Sequence, residues 1–252
     1  MNKFLKAIIL PIYVRLMPHE GIQRFAYDGE RPDTGKKSTE FEDLFWNNTG
    51  VVVHKWHHYL PIYDRYFKPL KNRPLRMLEI GVSEGGSLTM WRKYFGPEAV
   101  LFGIDINPNC AKHNGKDAQV RIGSQDDPDF LRAVIAEMGG VDLILDDGSH
   151  FSKHMNASLN ILFPLLSDGG LYVVEDMHTS YWRSHGGGEG RAAGFTQTLK
   201  VLIDDMHHWY HRRGQKVAGT VDNLAAMHIH DSLVVLEKEK VETPRHSRRG
   251  TI

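Results

Sequence analysis

The chain has 252 residues, 41% of them hydrophobic, and its 31 basic residues cancel its 31 acidic ones to a formal net charge of zero. That length suits one large domain with a sizeable core, and the neutral balance excludes a general nucleic-acid binder, which needs a basic surface. The single cysteine, Cys110, excludes an intramolecular disulfide and fits a reducing compartment, so the cytoplasm is the expected location.

Residues 1–40 read as an apolar N-terminal segment and a linker. The run from Ala7 to Val14 is too short to span a bilayer and is broken by Pro11. It suits a packing or oligomer-forming segment, in keeping with a homo-oligomer. With Lys3, Lys6 and Arg15 around it, peripheral membrane contact is the alternative. A secretory signal is disfavoured, because no small-residue cleavage site follows. Residues 21–40 are polar and turn-rich.

A domain is expected over 41–240. It opens with an aromatic, histidine-dense stretch in which Tyr59, Ile62, Tyr63, Tyr66 and Phe67 follow a helical stripe. This stripe reads as core rather than substrate platform. Strands are then predicted at 76–82, 99–106, 118–123, 141–146 and 171–176, with helices at 87–95, 127–138, 154–166 and 195–213. Apolar segments near 224–227 and 229–239 predict an antiparallel strand pair at one edge. Strand–helix alternation implies an α/β fold, a Rossmann-like, doubly wound, mostly parallel seven-stranded sheet with an antiparallel edge strand. Residues 241–252 read as a disordered basic tail.

Two of these strands end in paired acids, Asp146-Asp147 and Glu175-Asp176. Neighbouring parallel strands end at one rim, where open α/β folds bind ligands. Carboxylates gathered there repel one another unless a cation or protons neutralise them. His150, three residues past Asp147, is placed to act as a base on whatever the cation holds. His154 and His178 are its rivals, and Asp146 is expected to be structural.

The segment Glu79 to Ser87 follows a strand and opens a helix, the setting of a nucleotide loop whose glycines allow close backbone approach. Asp105 ends the next strand, where an acid binds ribose hydroxyls. Glu79 beside the ligand suits a sulfonium-bearing amino acid better than a pyrophosphate. The stretch 123–127 (GSQDD) supplies side chains where an adenine ring would lie.

Together, Glu79 to Ser87, Asp105, DDGSH and EDMHTSYW resemble class I S-adenosylmethionine-dependent methyltransferases. The closer likeness is to magnesium-dependent macrolide-sugar and rhamnosyl O-methyltransferases and to cephalosporin hydroxylases. The resemblance spans Phe41 to Glu237 and implies two cofactors, S-adenosylmethionine and Mg²⁺. It assigns Asp147, Glu175 and Asp176 as metal ligands and His150 as general base. It assigns Glu79, Gly81, Ser87, Asp105, Ser124 and Gln125 to the cofactor pocket. It also sets the segment Lys55 to Tyr59 beside cofactor and substrate. The implied reaction is methyl transfer to a sugar hydroxyl of a glycosylated small molecule or glycolipid. A hydroxylase-like or cofactor-binding accessory protein is the alternative. The macrolide enzymes carry a long N-terminal domain for which this chain has no room, a layout closer to rhamnosyl enzymes acting on glycolipids. The glycine loop 186–190 reads as a lid over the sugar.

Overall fold

A computed structural model describes residues 21–22, 25–26, 29–211, 220 and 222–251. The apolar segment at 1–20, with its packing and membrane readings, lies outside the described residues. Among the described residues, no helix is long and apolar enough to cross a membrane.

Regular structure begins at α1 (Glu40–Trp46), where Thr39 and Glu42 form a reciprocal capping box. The aromatic stripe follows as α2 (Leu60–Phe67). The alternating unit then runs β1 (Arg76–Ile80), α3 (Gly86–Phe95), β2 (Val100–Asp105), β3 (Gln119–Ile122), α4 (Pro128–Met138) and β4 (Val141–Asp146). It continues through α5 (Ser152–Leu162), β5 (Leu166–Val174), α6 (Phe195–Met206), β6 (Leu224–His230) and β7 (Leu233–Lys238).

The strands form one seven-stranded sheet in the order β3-β2-β1-β4-β5-β7-β6. Strands β1 to β5 pair in parallel, and β7 is antiparallel to both β5 and β6. Only β7 therefore runs against the rest, one place in from the edge. A hairpin explains this: β6 and β7 are joined by a short turn, and β7 docks on β5. Strand order reverses between β1 and β4, the crevice where such sheets bind ligands.

Each face of the sheet carries a core. On one, Phe41, Tyr63, Trp91 and Tyr94 are fully buried, with the Phe41 and Trp91 rings stacked at 4.7 Å. Ring pairs of this kind contribute about 1 kcal/mol beyond the area they bury. On the other, Leu131, Leu159, Phe163 and Phe195 pack beneath α4, α5 and α6.

Several boundaries differ from the sequence expectation. Helix α5 stops at Leu162 and a 3-10 turn through Phe163–Leu165 leads straight into β5. Pro164, without an N–H, ends the α-helical ladder there. Helix α6 ends at Met206, not 213, because the His207 and His208 imidazoles turn back onto the carbonyls of Ile203 and Asp205. The Ile203 carbonyl also accepts from His207 N, and a 3-10 turn follows at His208–Tyr210.

Candidate active site

The register of the sheet brings the acids together. Ile80 on β1 lies opposite Asp146 on β4, which lies opposite Val174 on β5. The chain continues in step beyond the strands, Asp147 N donating to the Ile80 carbonyl and Glu175 N to that of Asp146, each at 3.0 Å. Alternation along the strand then separates the roles. Asp146 points into the core, accepting from Gln125 Nε2, Ser158 Oγ and the Tyr172 hydroxyl, and is structural as expected. Asp147 and Asp176 point to the rim and are partly exposed.

His150 Nε2 stands 3.8 Å from Asp147 Oδ1 and 3.6 Å from Asp176 Oδ2. One donor atom from each of the three residues fits within a 4.8 Å span. Each carboxylate has its second oxygen engaged elsewhere. Lys55 Nζ takes Asp147 Oδ2 at 2.5 Å, while Trp56 Nε1 and the Tyr59 hydroxyl take Asp176 Oδ1 at 3.1 and 2.9 Å. The free oxygens thus face His150 and one another, a mostly oxygen donor set that suits a hard divalent cation. His150 and Asp176 both adopt left-handed backbone, with φ of 57° and 54°. Such conformations in non-glycine residues cost about 1 kcal/mol or more each and cluster at functional sites.

Glu175 is turned inward and is 2% exposed. Its two oxygens each lie 2.9 Å from Lys55 Nζ, and Tyr63 donates its hydroxyl to Oε1 at 2.5 Å. Burial and the Asp147 charge push the Glu175 carboxyl well above the usual carboxylate range, against the pull of Lys55. Burial would lower Lys55, but the charges of Asp147, Glu175 and Glu79 outweigh it and keep the ammonium charged. Burial, aided by the nearby acids, holds the Tyr59 and Tyr63 hydroxyls far above their usual range, so both remain donors.

A cleft of about 350 Å³ joins this cluster to the glycine loop and Asp105. Asp105 Oδ2 accepts from the amides of Val82 and Ser83, both at 3.0 Å, tying the end of β2 to that loop. Gly81 is required here: a Cβ would meet the Asp147 carbonyl oxygen at 2.1 Å, and φ is +97°. At Gly86 a Cβ would meet the Val52 carbonyl oxygen at 2.2 Å, because residues 51–52 lie directly on the loop.

Residues 78–177 match the family model described as "Methyltransferase domain". The chain belongs to the class I methyltransferases. A curated relative is the 8-demethyl-8-(2-methoxy-α-L-rhamnosyl)-tetracenomycin-C 3′-O-methyltransferase of Streptomyces olivaceus. It is 39% identical over 197 residues, covering 73% of this chain and 50% of that protein. The L-olivosyl-oleandolide 3-O-methyltransferase of Streptomyces antibioticus is 34% identical over 219 residues, 82% of this chain and 54% of that one. Among solved structures, the MycE methyltransferase of the mycinamycin biosynthetic pathway, in complex with Mg, SAH and mycinamycin VI, superposes with a TM-score of 0.69. It is 32% identical, over 75% of this chain and 50% of that one. The chain spans about half the length of the curated relatives it matches.

In this chain the cleft brings together Gly81, Ser87, Asp105, Asp147, His150, Glu175 and Asp176. Three of the residues expected in the cofactor pocket stand apart from it. Glu79 is fully buried behind the cleft, accepting from Ser87 Oγ and Trp91 Nε1. Gln125 is a strut, donating to Asp146 and accepting from Ser149 N. Ser124 bonds to Asp126. The rival histidines are engaged elsewhere, His154 with Ser149 and His178 with Ser232. In the 186–190 loop, Gly187 N and Gly188 N donate to the carbonyls of Trp182 and Ser180.

Sequence reasoning missed the polar work of Lys55, Trp56, Tyr59 and Tyr63. A signal did exist: paired acids demand a nearby cation, and the lysine of the KWHHY segment is a candidate for it.

Proposed function

We propose that this chain transfers the methyl group of S-adenosylmethionine to a hydroxyl of a deoxysugar, rhamnosyl or related, on a glycosylated natural product or glycolipid, with Mg²⁺ as the second cofactor. The observation that carries this reading is the single cleft in which a glycine loop and strand-end acid meet the triangle of Asp147 Oδ1, His150 Nε2 and Asp176 Oδ2. The rhamnosyl and olivosyl methyltransferase relatives, and a neighbour solved with Mg and SAH, support the same chemistry.

In this reading the loop from Gly81 to Ser87 receives the cofactor along its backbone, and Asp105 orients the ribose. Asp147 and Asp176 would hold the ion through their free oxygens; Glu175, expected as the third carboxylate, has both its oxygens on Lys55 Nζ and would join them only as that contact loosens. A divalent cation bound there lowers the pKa of a sugar hydroxyl and fixes its direction. His150 Nε2 takes the hydroxyl proton as the oxygen attacks the methyl carbon; the C–O bond forms, the C–S bond breaks, and the pair on sulfur leaves a neutral thioether. The reaction is an in-line displacement, so alignment dominates. One geometric fact favours a second role for His150: its Nε2 lies close enough to both aspartates to be a ligand itself.

The test is transfer of labelled methyl to a panel of rhamnosylated and olivosylated aglycones, with and without EDTA, for wild type and His150→Asn. Asparagine tolerates the left-handed backbone of residue 150. EDTA-sensitive label in the sugar supports the reading. Absence of label across the panel, from protein that binds SAH calorimetrically, overturns it in favour of a hydroxylase-like or accessory protein. A base requires that His150→Asn lose about 10²- to 10⁴-fold in turnover while Mn²⁺ affinity is unchanged; a weakened affinity makes His150 a ligand.

A further inference from the structure

The cleft is lined by Glu84, Asp105, Asp147, Glu175 and Asp176 and, among the described residues, by one lysine or arginine, Lys55. Its ammonium is not at the mouth of the cleft, where it could serve a substrate. The side chain is 3% exposed, and Nζ sits between Asp147 Oδ2 at 2.5 Å and both Glu175 oxygens at 2.9 Å. Those oxygens belong to two of the three carboxylates expected to hold the divalent ion. We propose that Lys55 is an internal stand-in for that ion: it holds Asp147 and Glu175 together while the site is metal-free, and it competes with the ion for them. This rests on the metal-dependent reading above.

Two carboxylates forced together in a buried site are stable when a positive charge stands beside them or a proton neutralises one of them. Lys55 supplies that charge from within the chain, so the acids are gathered before any ion arrives. The same placement must weaken the ion's binding. An ammonium and a divalent cation seek the same lone pairs, and their repulsion at a few ångströms is large in a partly buried site. Lys55 also borders a second space. It lies in the wall between this cleft and a neighbouring cavity of about 1080 Å³ bounded by Asn48, Thr49 and Trp46. The segment that carries it rests on the glycine loop at Gly86, so withdrawal of Lys55 would take place beside the cofactor loop.

A residue that merely supports the acids and one that competes for them differ in sign. Removing a support weakens metal binding; removing a competitor strengthens it. The experiment is titration of EDTA-stripped protein with Mn²⁺, followed by electron paramagnetic resonance, for wild type and Lys55→Met, with thermal melts in EDTA alongside. Lys55→Met is expected to bind Mn²⁺ at least about tenfold more tightly, to melt at a lower temperature in EDTA, and to regain that loss on adding Mn²⁺. Should Lys55→Met fail to fold, the same comparison is made between Glu175→Gln and the Lys55→Met/Glu175→Gln pair, where one negative charge leaves with the positive one and the expected direction is the same. Equal or weaker Mn²⁺ binding by the folded variant, with wild type binding normally, overturns the competition and leaves the metal reading standing. Absence of Mn²⁺ binding in every protein overturns both.

Discussion

The Thr179 hydroxyl lies 3.0 Å from the carbonyl oxygen of His150 and donates across the rim, linking the loop after β5 to the loop after β4. It is shared with the Asp176 carbonyl at 2.7 Å. The two carbonyls it reaches belong to the two residues held in left-handed backbone. One side chain therefore restrains both halves of the candidate site.

Thr179→Val keeps the shape and removes that restraint. A lost hydrogen bond at a buried position costs about 1 to 3 kcal/mol, which denaturant melts would register. Because His150 and Asp176 are then free to relax, turnover should fall by about tenfold or more with little change in SAH affinity. Equal loss of SAH binding would mean that the link serves the fold as a whole and not the rim.

Gly81 and Gly96 both have positive φ, at 97° and 87°, yet only Gly81 has a neighbour in the way. Gly96→Ala should cost only the conformational penalty, about 1 to 3 kcal/mol, because a ψ of 179° puts it in a backbone region that is essentially glycine's own. Gly81→Ala adds a clash with the Asp147 carbonyl, a backbone atom that cannot rotate aside, so its cost should exceed that of Gly96→Ala by about 2 kcal/mol or more. Chemical denaturation of the two variants side by side checks this. Matching losses would show that β1 and β4 separate easily at their ends, contrary to the close approach described above.

Glu79 supplies a pH dependence. Its carboxyl, ordinarily near 4.5, is pushed to about 7 by burial, with Lys55 and Trp91 opposing. The unfolded chain therefore gives up this proton first as pH rises. The group's contribution is fully present below about 4.5, is lost progressively up to about 7, and is constant above. A shift of this size corresponds to about 3 kcal/mol. Glu79→Gln, which keeps the shape, should match wild type near pH 4.5 and exceed it near pH 8 when both are melted in EDTA. A constant difference across that range would show that Glu79 does not titrate there.

Much of this was legible in the chain because it is local. Apolar runs of strand length, each ended by a turn or an acid, mark β1, β2, β4 and β5. The motif spacing of Asp147, His150, Glu175 and Asp176 reflects strand ends that lie in register. Contacts that cross the chain left no such trace. Lys55 meets Glu175 across 120 residues, and Tyr63 meets it across 112. Periodicity reported Tyr59 and Tyr63 correctly as buried, but it is blind to the direction of a hydroxyl at the end of a buried ring. Likewise Glu79 sits near the end of β1 and Gln125 in the loop after β3, as expected, while only packing decides that one side chain turns behind the cleft and the other becomes a strut.

Tyr59 and Lys55 touch the acid cluster in similar ways and should affect it oppositely. The Tyr59 hydroxyl holds Asp176 Oδ1 at 2.9 Å and carries no charge, so it orients a ligand without competing with an ion. Outer partners of this kind are commonly worth about 10- to 100-fold in metal affinity. Tyr59→Phe should therefore weaken Mn²⁺ binding within that range, whereas Lys55→Met strengthens it. Trp56 Nε1 remains on the same oxygen at 3.1 Å in the Tyr59→Phe protein, so the effect should sit at the lower end, and Trp56→Phe on that background should extend it. If Tyr59→Phe leaves Mn²⁺ affinity unchanged, Trp56 and the backbone suffice to position Asp176, and the hydroxyl serves the Asp176 amide and the Ser232 carbonyl, which it reaches at 3.2 and 2.9 Å.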